Sequence, residues 1–407
     1  MIKRPKHHRV SLYILALVIL LGLSPVFAQA SWFNSKKNET VTISKEEYER
    51  LKQFELLDEV KQYVDAYYYE EPNQQGMMDG AIQGMLQGLG DAYTFYYPEE
   101  AWNKMQEDDT GKYAGIGVQM LGNYEDGSVT IIRVFKDTPA ERAGLKKGDV
   151  FYKVEDLEVT TPTMQDAVDI MRGVPGEKVH IEIFRDGEVL PFDLIKANIV
   201  VNRVEYKMID DKVGYIILFE FAGGSMEAFS KAYEELKGQG MQYLIFDLRD
   251  NPGGWVGDAE KIGSMFLDKK VLYYTMDRAS NKKEFVTGAT SDTMPLTLLV
   301  NGNSASASEI LAGAMQDHKR AYIIGEETFG KGVIQFVVPL SDEKSGFQFT
   351  TAQYFSPDGD KVHKEGIKPD LVVEMPEEFL DTYFDTADLS DPQLAKAYEH
   401  ALDELKK

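Results

Sequence analysis

The sequence predicts a multi-domain α/β protein: a layered α/β core with an inserted β-rich domain and helical arms at its N- and C-terminal ends. Three observations predict it. The 407 residues exceed what one ordinary hydrophobic core organises. From Ile199 onward, apolar strand-like runs alternate with helical patterns, as a layered α/β core requires. Both ends carry apolar residues at helical spacing instead.

Composition narrows the function. The net charge is −23, with 44 basic and 67 acidic residues. A surface that acidic repels phosphates, so nucleic acid is not an expected partner. There are no cysteines, which excludes disulfides, thiol catalysis and cysteine-ligated metal. The basic residues Lys3, Arg4, Lys6 and Arg9 precede an apolar run from Val10 to Ala28, then a small-x-small pattern at Ala28-Gln29-Ala30. Residues 1–30 therefore read as a secretory signal peptide or an uncleaved membrane anchor. Either reading puts the body outside the cytoplasm, secreted or anchored at the outer face of the cytoplasmic membrane.

Residues 31–111 form a linker and a helical region. Ser44 with Glu47 is a capping box, and Leu51, Phe54, Leu57, Val60, Val64 and Tyr67 recur at helical spacing. Met77–Leu89 and the surroundings of Trp102 and Met105 continue the pattern. The expected role is a small helical subdomain or a dimer arm. Residues 112–197 change character. Gly115-Ile116-Gly117-Val118 is a glycine-spaced turn into a strand, Val129–Val134 is a second strand, and Pro139-Ala140-x-x-Ala143-Gly144-Leu145-x-x-Gly148-Asp149 follows. That run resembles the signature of PDZ domains, with Met164–Met171 as the helix beside the groove. An extended peptide tail would add a strand there, bound by amides at Gly115 and Gly117 and by apolar walls at Ile116 and Val118. Arg172 is a candidate for a charged link between this domain and the rest.

Residues 198–375 carry the core. Val213–Phe219 is a strand, Ser225–Leu236 a helix, and Leu244–Arg249 a strand that runs into the turn Asp250-Asn251-Pro252-Gly253-Gly254. Ala259–Leu267 is a helix, and Leu296–Val300 a strand leading through Ser304-Ala305-Ser306-Ala307-Ser308 into another helix. A serine on such a turn is exposed beside helix amides, although Ser304, Ser306 and Ser308 all suit an N-cap. Lys331 lies in Gly330-Lys331-Gly332, before an apolar run whose burial would favour a neutral amine. In an extended run Gln335 projects to the same face as Lys331. An uncharged amide there orients an amine without stabilising the ammonium. The Ala307 amide and the Gly253-Gly254 turn offer donors for an oxyanion. Asp247, Arg249 and Asp250 read as structural, with Arg249 paired to a carboxylate. Residues 376–407 are an acidic tail ending in the helix Pro392–Leu405.

Together, Ser304–Glu309, Gly330-Lys331-Gly332 with Gln335, and Asp247–Gly254 resemble the carboxyl-terminal processing (tail-specific) proteases. Gly366–Asp370 and Asp79–Leu86 are similar to further motifs of that family. The resemblance implies a serine-type peptidase acting on proteins or peptides with exposed C-terminal tails. It also implies Ser306 as nucleophile, Lys331 as base and Gln335 as its orienter. The choice of Ser306 among three serines rests on that resemblance. Such a set needs no metal or cofactor. Helical arms suggest a homodimer. The rival readings are a non-catalytic PDZ scaffold that binds protein C-termini and a hydrolase based on His318 or His363.

Overall fold

The structure, a computed structural model, describes residues 41–123, 126–290, 292–379 and 385–407. The signal or anchor segment, residues 1–30, lies outside the described residues. Among those described, no helix is long and apolar enough to cross a membrane.

The chain divides into two units, residues 1–77 and 78–407. In the first, α1 (Lys45–Lys52) and α2 (Glu55–Tyr67) replace the one stripe expected. Ser44 caps α1, its hydroxyl accepting from the Glu47 N–H at 3.1 Å. Gln53 then turns its N–H back onto the carbonyls of Arg50 and Leu51. The break costs only two residues, so apolar spacing runs across it unnoticed. Neither helix buries a residue: Leu51, Phe54, Val60 and Tyr63 are each at least 50% exposed. Helix α3 (Gln74–Gln87) crosses into the second unit.

That unit begins with β1 (Phe95–Tyr97), α4 (Glu99–Thr110) and β2 (Lys112–Gly115). A compact β-rich domain follows: β3 (Val118–Gly122), β4 (Val129–Val134), α5 (Pro139–Ala143), β5 (Val150–Val154), β6 (Leu157–Glu158), α6 (Met164–Met171), β7 (Lys178–Arg185) and β8 (Glu188–Ile195). Its sheet runs β3-β4-β5-β7-β8 with β6 beside β5. Ile131, Phe151, Val154, Ile181 and Ile183 are among the residues that close its core. Thr138 caps α5 and Gly144, at φ +84°, ends it. Strand β3 is an edge of the sheet. Strand β9 (Ala197–Val200) pairs antiparallel with β2, so the chain enters and leaves this insertion through one two-stranded ribbon.

The core contains β10 (Val204–Met208), β11 (Val213–Leu218), α7 (Ser225–Gly238), β12 (Tyr243–Asp247), α8 (Val256–Phe266), β13 (Val271–Asp277), β14 (Lys282–Val286), β15 (Leu296–Val300), α9 (Ala307–Asp317), β16 (Ala321–Gly325), β17 (Val333–Pro339), β18 (Gly346–Phe355), β19 (Leu371–Val372) and α10 (Pro392–Glu404). Its main sheet is ordered β10-β11-β12-β15-β16-β19, parallel except for β10. Both faces are covered, as a parallel sheet requires. Leu244 and Phe246 of β12 pack with Phe229 of α7 and Leu311 of α9 on one face. Tyr243 and Ile245 pack with Leu394 and Ala397 of α10 on the other. All five residues of β12 and of β15 are buried.

A second sheet, β1-β18-β13-β14 with β17 also on β18, flanks this core. Sequence spacing had not announced β1. Phe95 pairs with Gln348 and Tyr97 with Gly346. Gly346 is needed because a Cβ there would lie 2.2 Å from the Trp102 ring of α4. This fit seats α4 against β18.

Candidate active site

Strands β12 and β15 are parallel neighbours, so the turns at their carboxyl ends lie side by side. After β15 comes the serine turn. Ser306 is the N-cap of α9 at φ +55°, ψ −113°. Positive φ at a non-glycine residue stores strain of about 1–3 kcal/mol, and a strand-to-helix turn of this kind projects the hydroxyl outward. Its two neighbours differ. Ser304 and Ser308 are fully buried, and their hydroxyls donate to the carbonyls of Leu248 (2.8 Å) and Asn251 (3.0 Å). Of the three, Ser306 alone keeps exposure, at 9%.

Glu309 joins this turn to the lysine loop. Its carboxylate is fully buried in the first turn of α9. Oε2 accepts from the Ser306 N–H at 2.8 Å and the Lys331 N–H at 2.9 Å. Oε1 accepts from the Gly330 N–H at 2.7 Å and the Thr328 hydroxyl at 2.6 Å. Burial pushes the pKa of Glu309 up, and these four donors pull it back. With each oxygen accepting twice, the arrangement suits the anion. From β18, the Tyr354 hydroxyl is shared between the carbonyls of Ser306 (3.1 Å) and Lys331 (2.9 Å). Ser306 and Lys331 are thus each held by both their N–H and their C=O. The spacing Ser306-x-x-Glu309 is a capping box and was legible; nothing in the sequence pointed to Tyr354.

Lys331 is half-buried, its Nζ 4.9 Å from the centre of the Tyr93 ring. Burial pushes its pKa down, while the charges of Glu309 and Asp91 push it back up. Gln335 is not placed by the extended run expected of it. Strand β17 starts only at Val333, and a bulge between Ile334 and Gln335 shifts the phase of the side chains. Its Nε2 donates to Thr350 Oγ1 at 3.2 Å.

Gly253, at φ +97°, packs onto the serine turn. A Cβ there would lie 2.7 Å from Ser306 Cβ and 2.9 Å from the Ala307 nitrogen. The Gly253 N–H donates to Asn251 Oδ1 at 2.9 Å. Gly253 therefore opens space, while the amides of Ala307 and Gly254 are the donors not committed to hydrogen bonds among the described residues. Asn251 holds the turn: its Nδ2 donates to the Leu218 carbonyl and its carbonyl accepts from the Ala305 N–H and the Ser308 hydroxyl. Arg249 is structural. It pairs with buried Asp247 at 2.6 Å and with Asp391, the N-cap of α10, at 2.7 Å.

His318 bonds through Nε2 to the Val271 carbonyl at 2.7 Å. His363 lies closer to the lysine loop than its lysine-rich surroundings suggest: a Cβ on Gly332 would meet its backbone nitrogen at 2.2 Å. Its Nδ1 is buried with no partner among the described residues, and burial together with Lys364 and Lys361 lowers its pKa. The Asp91 carboxylate pushes the other way.

In the β-rich domain a groove of about 200 Å³ lies between edge strand β3 and α6. Ile116, Gly117 and Val118 line it, with Met120, Val168, Met171 and Arg172. Gly115, at the end of β2, does not; it pairs with Ala197 of β9. Arg172 stacks 4.7 Å from the Tyr113 ring and reaches Glu107 of α4 at 3.9 Å.

Three segments match known families: residues 212–373 match peptidase family S41, residues 114–195 the PDZ domain, and residues 19–101 the N-terminal domain of the activating protease CtpB. The chain is 32% identical over 367 residues to a carboxy-terminal-processing protease of Bartonella bacilliformis, covering 88% of this chain and 83% of that one. It is 31% identical to the carboxy-terminal processing protease CtpB of Bacillus subtilis, covering 89% and 77%. The fold is similar to that of a photosystem II D1 C-terminal processing protease, with a TM-score of 0.54, 27% identity, and coverage of 86% and 96%.

The clamp generates a prediction. Glu309→Gln places an NH₂ where two donors now point, leaving buried N–H or O–H groups unpaired at about 1–3 kcal/mol each. Urea unfolding is expected to show a loss of about 2–6 kcal/mol, and peptidase activity to fall roughly a hundredfold as the serine and lysine segments separate.

Proposed function

The chain belongs to peptidase family S41 as a PDZ-containing carboxy-terminal processing serine protease, and from that premise we propose that it cleaves tail-bearing proteins outside the cytoplasm with a Ser306–Lys331 dyad oriented by Gln335. The observation that carries this reading is the double clamp. One buried carboxylate and one phenol hold the backbone of the serine to the backbone of the lysine. Ser306 Oγ attacks the scissile carbonyl as Lys331 Nζ takes its proton. The tetrahedral oxyanion sits at the amides of Ala307 and Gly254, the Gly253 N–H being taken by Asn251. Lys331 returns the proton to the leaving amine, and water then releases the acyl group. The domain order supporting this is a signal or anchor segment at 1–30, a helical region at 31–111, a PDZ domain at 112–197, the protease core at 198–375 and a helical tail at 376–407.

A base must be neutral. Activity is therefore low while Lys331 is an ammonium and rises to a plateau as pH passes its pKa. Burial puts that rise below the ordinary lysine range. Lys331→Ala and Ser306→Ala are each expected to lower kcat at least about a thousandfold, while His318→Ala stays near wild type. Proteolysis retained in the lysine variant would end the dyad reading in favour of a histidine base.

The PDZ groove presents the free edge of β3 to an incoming strand, with Ile116 and Val118 as apolar walls. Val168→Asp puts a charge opposite a tail carboxylate. Fluorescence polarisation with a peptide of apolar C-terminus should show affinity reduced about tenfold or more; unchanged affinity removes the groove as the tail site.

The exposed apolar residues of α1 and α2 support a homodimer arm, and the basic and apolar N-terminus supports export. Sedimentation of the exported protein is expected to give a dimer that becomes monomeric when residues 31–77 are removed. A monomeric full chain would sink the arm.

A further inference from the structure

Strand β4 carries a charge where its pattern calls for an apolar side chain. Val129 and Ile131 are fully buried in the PDZ core, and Arg133 follows in the same phase, 8% exposed. Its guanidinium leaves the domain for the edge of the protease core. There it donates to the Asn202 carbonyl and to Glu205 Oε1 of β10, reaching the carboxylate from Nε at 3.3 Å and from Nη2 at 3.2 Å. Glu205 is itself fixed, since its Oε2 accepts from the Thr386 hydroxyl. The guanidinium lies 3.5 Å from the centre of the Phe219 ring and 5.1 Å from that of Phe135. It is lodged between one ring of each domain.

Phe219 lies inside the segment that holds the glycine turn. The Leu218 carbonyl accepts from Asn251 Nδ2 at 2.8 Å. The Phe221 N–H donates to the Gly253 carbonyl at 2.8 Å, and the Phe221 carbonyl accepts from the Trp255 N–H at 2.6 Å. A Cβ on Gly254 would collide with that carbonyl. Phe221 thus brackets Gly254 from the residue on either side. The Gly253 carbonyl and the Gly254 N–H belong to one planar peptide and point in opposite directions. The bond from Phe221 to that carbonyl therefore aims the Gly254 N–H, one of the two donors left for an oxyanion. Phe219 is held in turn by its N–H, which donates to the Arg203 carbonyl at 2.9 Å, and by Arg133 on its ring.

We propose that Arg133 is a positioning residue for the peptidase reaction: from the PDZ domain it fixes Phe219 and, through residues 218–221, the direction of the Gly254 amide. A cation over a ring face resists displacement of the ring, most strongly where water is excluded. The planar guanidinium serves the ring and the Glu205 carboxylate at once, which an ammonium does less well. An oxyanion donor acts within about 2.7–3.1 Å of the charge that develops. A small slip of this segment is therefore felt in the transition state and not in substrate binding. The inference rests on the reading of Ser306 and its oxyanion donors above.

The test is steady-state peptide hydrolysis by Arg133→Met, Arg133→Lys, Phe219→Leu and the double variant Arg133→Met/Phe219→Leu, with Ser306→Ala as reference. A peptidyl boronic acid, which forms a tetrahedral adduct on a serine Oγ, probes the oxyanion donors directly. Arg133→Met is expected to lower kcat roughly ten- to a hundredfold with KM nearly constant, and to weaken boronate inhibition by a similar factor. Arg133→Lys should recover part of that loss. Phe219→Leu should cost about as much, and the double variant no more than the larger single loss, because both substitutions remove one contact. A merely structural role would lower the urea midpoint while leaving kcat and boronate affinity of the folded enzyme unchanged. That result, or losses that add in the double variant, overturns the positioning role. If Ser306→Ala is inactive in that case, the serine reading stands and only the role of Arg133 falls. An active Ser306→Ala enzyme would remove both together.

Discussion

The buried carboxylate of Glu309 is the constraint on which the site depends. A charge taken out of water must be fully satisfied or it costs several kcal/mol. Here the donors are the Ser306, Gly330 and Lys331 amides and the Thr328 hydroxyl. Two segments 25 residues apart are drawn together because one anion needs both. Tyr354 then takes the carbonyls of the same two residues, Ser306 and Lys331. The strained φ of Ser306 persists because its N–H and its C=O are both held.

The same anion complicates the chemistry it organises. Glu309 and Asp91 each favour a protonated Lys331, and burial opposes them and prevails. Tyr93 supplies part of that burial from a turn that reaches the site only because β1 pairs with β18. A segment before the PDZ domain therefore shapes the environment of Lys331, although the main sheet starts more than about a hundred residues later. The glycine turn after β12 completes the pocket from the next strand, fastened by Asn251 and, through Arg249 and Asp391, to the C-terminal helix.

The PDZ domain is attached differently. One β2–β9 ribbon carries both of its connections, and its edge strand stays free for a tail. Arg172, at the groove, meets Glu107 of α4 at 3.9 Å, with both side chains partly in water. A pair of that exposure contributes about 0–1 kcal/mol. It marks where the groove touches the rest of the molecule without fastening it there.

Much of this was legible in the chain. Alternation from Ile199 announced the layered core, the Pro139–Asp149 run announced the PDZ domain, and Ser306, Lys331 and Gln335 were named by family motifs. Those signals are local, because periodicity and short motifs depend on neighbours in sequence. What the sequence by itself determined was the set of chemical groups and the family they belong to. Which serine stays available was decided only in three dimensions, because the carbonyls that take up Ser304 and Ser308 come from Leu248 and Asn251, at the end of another strand. Gln335 was likewise aimed by a bulge and by Thr350 across the sheet, not by the extended run that its spacing implied. Hydrogen bonds between distant segments leave no period in a sequence, so the tertiary structure alone assigns them.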